Sequence, residues 1–446
     1  MIAFNGCGGP PENVAANKAA PSRGVIGTCP AVIDEPTQNQ TVGSAINLRA
    51  HGDPACTHAM KAYIDNVECT PSAPFHCSVT ASDFSPYPNW VGVTPGTHRL
   101  VVNSWDAAGN VSVTDATVFT YPGTTDSVLA GAGDIANAGA AQGATATLLS
   151  NINPNFVFTA GDNVYGSTTT DQGRIDHYSS YYDPTWGIPS LKAKTLPVPG
   201  NHDFDNTDTS ADGTDRVMSG YYTYFTGGLS TSPTKALTVG GTTWDTLHYG
   251  FDIPTSGAPW RYIAIDSGPC FNSGAYCALN GPEYSWLAGE LAAHKKISAG
   301  GSYAGIVAVT HFNRYTSAGC GSGSGNIDAI YKLLYDNGVD LILDGHVHNY
   351  ERFDRVGRAP ASTTQGACGT VLGPVRDNTG PVVINVGTGG FGGTDGFAQA
   401  AYPATVTRLS QNGVIKVTLK PTGFDFAFYS PASYPTALDS GSFGIR

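Results

Sequence analysis

The segment "LILDGHVHNYER" (residues 341–352) carries the main indication of fold and site in this chain. Its first residues form an apolar run typical of a buried strand, and a glycine then precedes two histidines. Strand-like alternation would send His346 and His348 to opposite faces, but a loop after Gly345 removes that constraint. Because the chain has only 11 histidines, two at the end of one strand indicate a binding site.

The same pattern, an apolar run that ends in a polar side chain, recurs in four other segments. In an α/β sheet the carboxyl ends of the strands line one crevice, which is the usual ligand site. We therefore expect five segments to bring their polar side chains together. The residues of the other four segments are Asp134 after "VLAGAG", Asp162 and Tyr165 in "NFVFTAGDNVY", Asn201, His202 and Asp203 in "KTLPVPGNHD", and His311 after "GIVAVT".

This mixture of side chains predicts a metal site. Carboxylate, amide, imidazole and phenolate groups suit Zn, Mn or Fe better than copper or an iron–sulfur cluster. The groups are too numerous for one tetrahedral zinc. Two metal ions about 3.5–4 Å apart, bridged by a carboxylate, would use them, and this arrangement supports in-line displacement at phosphorus.

The ordered set GD (133–134), GDxxY (161–165), GNHD (200–203), a strand-end histidine (311) and GHxHxYER (345–352) resembles the calcineurin-like metallophosphoesterases. Tyr165 makes it similar to the purple acid phosphatase branch. The resemblance covers the C-terminal domain only. It implies an α/β domain in which helices enclose mixed β-sheets (αββα). It also implies hydrolysis of phosphate monoesters by direct attack of a metal-bound hydroxide.

The resemblance implies two metal ions and their ligands. Fe(III) would occupy a first site and Zn, Mn or Fe(II) a second, with Asp162 bridging the two. His202 corresponds to the histidine that contacts phosphate and assists the leaving group. Phe312 stands where relatives often have a second histidine, so Arg314 is a candidate phosphate contact. The first site would use Asp134, Asp162, Tyr165 and His348, and the second Asp162, Asn201, His311 and His346.

Several alternatives stay open at this point. A packing role for Tyr165 would leave a colourless dimetal centre with the same reaction class. The site could also serve a phosphodiesterase or nucleotidase. A non-catalytic surface adhesion or binding protein could retain the metals structurally, although the intact pair of Asn201 and His202 argues against it. Glu351 and Arg352 are expected to form a structural ion pair.

The pattern along the chain predicts a multidomain protein. Residues 1–30 resemble a disordered tether, in which Cys7 is either a lipid-anchoring cysteine or incidental. Residues 31–122 contain short β-rich runs separated by turns, which predicts an Ig-like or fibronectin-like β-sandwich. Such a module could contact a cell surface or a polysaccharide. Residues 125–446 alternate apolar strands with helices and form the predicted catalytic domain.

Composition indicates an exported protein. Charged residues make up only 13% of the chain, and close cysteine pairs such as Cys270 and Cys277 favour disulfides. We therefore expect a secreted or otherwise extracytoplasmic protein, and no apolar run has the length of a transmembrane helix. The net charge of −12 argues against nucleic-acid binding but allows a small phosphate ester, because metal ions can invert the local field.

Overall fold

The computed structural model divides the chain into two compact units, residues 1–125 and 126–446. Cys7 and nearly all of the predicted tether lie outside the described residues, so these predictions stay untested, as do the predicted domain limits. The described residues are 29–41, 48–65, 67–68, 78–79, 83–87, 96–113, 117–121, 126–166, 171–203, 219–226, 237–239, 242–244, 247–268, 270, 274–318, 327–366, 369–391 and 395–446.

In the part of the first unit that the structure describes, all regular elements are strands. They form a three-stranded sheet in the order β1-β3-β7 and a seven-stranded sheet built on β2-β10-β8-β4-β5, in which β6 pairs with β4 and β9 with β8. A disulfide joins Cys29 and Cys56. The Ig-like assignment stays a prediction. The strands are β1 (Val32–Glu35), β2 (Gln40–Thr41), β3 (Leu48–His51), β4 (Ala59–Ile64), β5 (Val67–Glu68), β6 (Ser78–Val79), β7 (Asp83–Tyr87), β8 (Gly96–Trp105), β9 (Val111–Val113) and β10 (Thr117–Tyr121).

The second unit contains two mixed β-sheets. The first has the order β13-β12-β11-β24-β25-β26, parallel among β11, β12 and β13 and antiparallel from β11 onward. Its strands are β11 (Ser127–Ala132), β12 (Phe156–Thr159), β13 (Thr195–Leu196), β24 (Val414–Lys420), β25 (Gly423–Tyr429) and β26 (Asp439–Gly444).

The second sheet has the order β16-β17-β18-β19-β22-β20-β21, with β23 paired to β20. Strands β17, β18, β19 and β22 run parallel, and antiparallel strands flank them. A separate hairpin consists of β14 (Leu237–Val239) and β15 (Thr242–Trp244). The strands of the second sheet are β16 (Tyr249–Ile253), β17 (Trp260–Ala264), β18 (Ile306–Val309), β19 (Leu341–Asp344), β20 (Tyr350–Gly366), β21 (Gly369–Arg376), β22 (Val382–Val386) and β23 (Thr405–Leu409).

Alternation along each strand explains why these strands are apolar throughout. Leu129 and Phe158 of the first sheet share a core with Leu341 and Leu343 of the second sheet, whereas Ile342 belongs to a different cluster. Neighbouring residues on a strand point to opposite faces, so both faces of each sheet are covered. One core therefore lies between the sheets, and two others lie on their outer faces, as the αββα prediction requires.

Helices cover the outer faces of the two sheets. Helix α1 contributes Leu148 and Leu149 to the core outside the first sheet, and α6 and α7 contribute Leu287 and Leu334 to the core outside the second. None of the described helices has the length and apolar character that crossing a bilayer requires. The helices are α1 (Gln142–Ile152), α2 (Asp171–His177), a π-helical turn (Tyr178–Tyr182), α3 (Pro189–Lys192), α4 (Ser219–Thr226), α5 (Gly274–Cys277), α6 (Pro282–Ala293) and α7 (Asp328–Asp336), with 3-10 turns at Asn201–Asp203 and Ile297–Ala299.

Two local predictions have different outcomes. The disulfide between Cys270 and Cys277 is confirmed, and both residues are fully buried. The ion pair between Glu351 and Arg352 is wrong. These residues are neighbours on β20 and point to opposite faces. Arg352 Nε donates to Asp439 at 2.6 Å, whereas Glu351 accepts the Ser317 backbone N–H at 2.8 Å.

Replacement of Leu343 tests the core between the sheets. Its side chain is 0% exposed, so Leu343→Ala should lower the free energy of unfolding by about 2–5 kcal/mol. Val406→Ala is the control, because Val406 is 46% exposed and its loss should cost no more than about 0.5 kcal/mol. Urea denaturation of both variants measures the difference. Equal stabilities for the two variants would contradict this core assignment.

Candidate metal centre

Two buried carboxylates lie at the ends of adjacent parallel strands. Strand β11 leads through Gly133 to Asp134, and β12 leads through Gly161 to Asp162. Both aspartates are 1% exposed and have left-handed backbone conformations, with φ of 59° and 50°. Such values are uncommon outside glycine and often mark functional sites, although Asp tolerates them better than most residues.

Gly161 allows a histidine to approach the backbone closely. Its φ is +80°, and a Cβ at this position would lie 2.3 Å from His311 Nδ1. His311 Nδ1 donates to the Ala160 carbonyl at 2.8 Å, so Nε2 is directed into the crevice. A ring nitrogen that donates to a backbone carbonyl leaves the other nitrogen available as a metal ligand.

Asp134, Tyr165 and His348 form one cluster, which we call the tyrosine group. The Tyr165 hydroxyl donates to Asp134 Oδ1 at 2.6 Å and lies 3.0 Å from His348 Nε2. His348 Nε2 is in turn 3.2 Å from Asp134 Oδ1. Carboxylate, phenol and imidazole therefore converge at one place.

Asp162, Asn201, His311 and His346 form a second cluster, the histidine group. His311 Nε2 lies 3.3 Å from Asp162 Oδ2, 3.0 Å from Asn201 Oδ1 and 3.2 Å from His346 Nδ1. The loop after β19 thus sends its two histidines to different clusters, His346 to the histidine group and His348 to the tyrosine group. A φ of 68° at His346 contributes to this divergence.

The histidine group meets the geometric requirements of a metal site. One ligand atom each from Asp162, His311 and His346 can be chosen such that all three lie within 4.8 Å of one another. Asp162 of the histidine group also interacts with the Tyr165 hydroxyl, so its carboxylate connects the two groups. The donor types match those that first-row transition metals prefer. These residues therefore fit the metals that the sequence predicts.

In the histidine group the charges of Asp162 and His311 stabilise each other, so a bound metal ion would replace the proton on His311 Nε2. Although burial tends to raise the pKa of Asp162, the charge and hydrogen bond of His311 lower it. Burial tends to lower the pKa of His311, but Asp162 raises it to about 9. Burial and the nearby charge of His311 lower the pKa of His346 to about 3. His346 is therefore neutral at physiological pH, as a metal ligand must be.

The tyrosine group contains a similar pair. Burial opposes the charge on both Asp134 and His348, yet each partner favours the ionised form of the other. The pKa of Asp134 is therefore lowered and that of His348 raised. Burial, followed by the charges of Asp134 and Asp162, raises the pKa of Tyr165 well above its ordinary value. The Tyr165 phenol thus stays protonated unless a strong cation binds beside it.

His202 lies at the exposed side of the crevice. Its backbone N–H donates to Asp162 Oδ1 at 2.7 Å, which leaves Asp162 Oδ2 facing His311. Its ring centroid is 4.5 Å from that of Tyr165, and the side chain is exposed to solvent. The imidazole can therefore reach a ligand in the crevice and exchange protons with water.

Asp203 connects two loops that carry site residues. This fully buried carboxylate accepts the Gly200 N–H at 2.8 Å, the Asn163 N–H at 3.1 Å and the Asn163 side-chain amide at 3.0 Å. The Tyr178 hydroxyl donates to it at 2.6 Å. The loop after β12 and the turn at Asn201–Asp203 are consequently joined through one side chain.

The structure does not bring Arg314 into the crevice. Its guanidinium forms an ion pair with Asp328 at the start of α7 and donates to the Tyr315 hydroxyl and the Arg358 carbonyl. The side chain is 1% exposed, and its two terminal nitrogens donate to these partners. Arg314 was predicted as a phosphate contact because it closely follows His311 at the end of a strand. Its side chain points instead toward Asp328 in the helix layer.

Sequence reasoning missed two residues after β22. Phe391 stacks on Tyr165, with ring centroids 3.5 Å apart and planes at 10°. Asp395 accepts the His348 backbone N–H at 3.1 Å. The segment "VINVGTGGF" (383–391) is another apolar run that ends in a glycine-rich turn, so the strand-end pattern could have identified it. The pattern is weaker in this segment because it ends in the apolar Phe391, whereas the other segments end in a polar residue.

A hydroxyl and a buried acid support His311 from behind. Ser267 Oγ accepts the backbone N–H groups of His311 at 3.1 Å and Phe312 at 3.0 Å. Next to it, the Asp266 N–H donates to Glu283 Oε1 at 3.1 Å. Burial raises the pKa of Glu283 to about 7, although a hydrogen bond from His248 lowers it in part.

Comparisons with known proteins identify the same region. The model of the calcineurin-like phosphoesterase family matches residues 129–350. Purple acid phosphatase 1 of Ipomoea batatas is 30% identical over 113 residues, which cover 24% of this chain and 22% of that protein. The Fe(3+)-Zn(2+) purple acid phosphatase 12 of Arabidopsis thaliana is 28% identical over 135 residues, 29% of this chain and 25% of that protein. The alignments thus span about a quarter of these relatives' length.

A solved structure has a similar fold. The purple acid phosphatase PPD1 from seeds of yellow lupin (Lupinus luteus) superimposes with a TM-score of 0.52 at 15% identity. The superposition covers 91% of this chain and 73% of the lupin chain. At this identity the likeness concerns the fold alone.

Glu283→Gln tests the buried acid behind His311. A raised pKa means that the folded state favours the protonated acid. Its stabilising contribution is therefore complete below about pH 4.5 and is lost as the pH rises through about 7. The free energy of unfolding of the wild type should fall relative to that of the variant between pH 5 and pH 8. Urea denaturation with a chelator present measures this difference.

Glu290→Gln, on the same helix, is the matched control. Burial tends to raise the pKa of Glu290, but a hydrogen bond from His294 and the charge of Arg261 lower it. Glu290 is therefore largely ionised in both the folded and the unfolded state between pH 5 and pH 8. The difference in free energy of unfolding between Glu290→Gln and the wild type should stay nearly constant over this range. Parallel pH profiles for the two variants would contradict the raised pKa of Glu283.

Proposed function

Because the chain belongs through residues 129–350 to the calcineurin-like phosphoesterase family, we propose that it is a binuclear metallohydrolase of phosphate monoesters. The observation that supports this most is the convergence of the tyrosine and histidine groups on Asp162. The purple acid phosphatases among its sequence relatives support the narrower assignment.

Two metal ions would be held by the two groups. Asp134, Tyr165 and His348 would bind Fe(III), and Asp162 would bridge it to Zn, Mn or Fe(II). Asn201, His311 and His346 would complete the second site. The Fe(3+)-Zn(2+) name of the Arabidopsis relative supports this choice. When bound, such a pair would lower the pKa of water and neutralise charge that develops on the phosphoryl oxygens.

The chain's own residues would orient the substrate and move a proton. His202, exposed at the rim of the crevice, would contact the phosphate and protonate the leaving oxygen. Its backbone hydrogen bond to Asp162 keeps it beside the bridging carboxylate. Phe391 and Asp395 would hold Tyr165 and His348 in place through stacking and a backbone hydrogen bond. Arg314 is not retained, because its terminal nitrogens donate to Arg358 and Asp328.

Export from the cytoplasm is part of the proposal. The disulfides Cys29–Cys56 and Cys270–Cys277 favour an oxidising compartment. The described strands of the first unit are compatible with an Ig-like module, and contact of that module with a cell surface or polysaccharide rests on the sequence alone. A lipid anchor at Cys7 rests on the sequence alone.

His202→Ala should lower kcat for a chromogenic phosphate monoester by about 10²- to 10⁴-fold, the range for a lost general acid. Metal content should not change, since His202 is not a proposed ligand. His58→Ala, which alters an exposed histidine of the first unit, is the control. Undiminished activity of His202→Ala would remove His202 from the mechanism. A diester cleaved faster than the monoester would favour the phosphodiesterase, and no hydrolysis by metal-replete wild type would favour a binding protein.

Tyr165→Phe tests the first metal. Purified wild type should contain iron and show a violet absorption from tyrosinate bound to Fe(III), and the variant should lose that band. Tyr434→Phe, at a partly exposed tyrosine, should keep it. Visible spectroscopy and metal analysis provide the measurement. A colourless, active wild type with two zinc or manganese ions would refute the Fe(III) assignment.

A further inference from the structure

Tyr178 approaches the site from the helix layer. It is the first residue of the π-helical turn Tyr178–Tyr182, and its hydroxyl donates to Asp203 Oδ1 at 2.6 Å. Both residues are fully buried. A π-helical turn adds one residue per turn and often lies at functional sites, because it redirects side chains.

The hydrogen bond from Tyr178 differs from the others that Asp203 accepts. The remaining donors, Gly200, Asn163 and Val164, belong to the two loops that Asp203 joins. Among the described residues, Tyr178 is the donor from outside those loops, so it fixes Asp203 relative to the helix layer. Asp203 directly follows Asn201 and His202 in one 3-10 turn, and a displaced Asp203 would displace both.

Packing fixes the ring of Tyr178 independently of its hydroxyl. The ring stacks on Tyr224, with centroids 4.7 Å apart and planes at 18°. Tyr182 and Phe225 contact it edge to face at 5.8 Å. Removal of the hydroxyl alone should therefore leave the ring in place and alter only the support of Asp203.

We propose that Tyr178 is a positioning residue for Asn201 and His202, which acts through Asp203. The inference rests on the proposed function, because these two residues are the proposed ligand of the second metal and the proposed proton donor. Loss of the Tyr178 hydroxyl leaves Asp203 with fewer donors and the turn less well fixed. Second-metal affinity and kcat should both fall.

Tyr182→Phe provides a matched control for Tyr178→Phe. Tyr182 is in the same π-helical turn and equally buried, but its hydroxyl has no hydrogen-bond partner among the described residues. Tyr178→Phe should weaken binding of the second zinc ion by about 10-fold or more, the usual cost of losing a group that supports a metal ligand. Tyr182→Phe should bind zinc like the wild type. Zinc titration followed by calorimetry measures the affinity without requiring turnover.

A double-mutant cycle tests the route through Asp203. In an Asp203→Asn background, Tyr178→Phe should have much less effect on zinc affinity than in the wild type, since its partner is already altered. Additive losses would overturn the proposed route. Equal zinc affinities in Tyr178→Phe and Tyr182→Phe, or a loss in Tyr178→Phe that follows a lower Tm, would assign Tyr178 a packing role and overturn the proposal.

The kinetic measurement separates this inference from the proposed function. If the wild type binds two zinc ions but hydrolyses no phosphate ester, the proposed function fails while the affinity comparison still decides the role of Tyr178. If the wild type is active, Tyr178→Phe should lower kcat by about 10-fold with little change in KM, since the substrate contacts remain. A changed KM with an unchanged kcat would contradict positioning of His202.

Discussion

Two ionised carboxylates, Asp134 and Asp162, are buried side by side at the ends of parallel strands, and much of the second unit compensates for them. Charges removed from water are costly unless they are paired and hydrogen-bonded. His348 and His311 provide the opposite charge, and backbone N–H groups of His346 and His202 provide hydrogen bonds. The pKa values of His311 and His348 are raised because the buried carboxylates favour their charged forms.

This constraint explains how the loops are arranged around the strands. Several segments that carry candidate ligands are held by a hydrogen-bonding side chain that is not itself a candidate ligand. Asp203 holds the loop after β12 and the turn before His202, Ser267 holds the backbone at His311, and Asp395 holds that at His348. The candidate ligands are thereby directed into the crevice from loops, which would otherwise be the least rigid part of the domain.

The ends of the strands could be predicted from the sequence, because an apolar run and the polar residue after it lie within a few residues of each other. The proximity of Asp134 and Asp162 needed only the rule that adjacent parallel strands end at one edge. His311 follows β18 of the other sheet, so its place beside them depends on how the two sheets pack. Arg314 was mistaken because side-chain direction depends on packing, and the pair of Glu351 and Arg352 was mistaken because neighbours on a strand point to opposite faces. Tyr178 could not be found, since nothing in the sequence reveals a π-helical turn or its distance from Asp203.

The left-handed backbone at Asp134, Asp162 and His346 also affects which mutations the fold can tolerate. Only a few residue types adopt that conformation at low cost, chiefly glycine, asparagine and aspartate. Asparagine or glycine at these places would remove a carboxylate or an imidazole without straining the chain, whereas valine or isoleucine would strain it. Descendants of this domain could therefore lose the candidate metal centre and keep the architecture, with asparagine or glycine at these positions as the trace of the lost site.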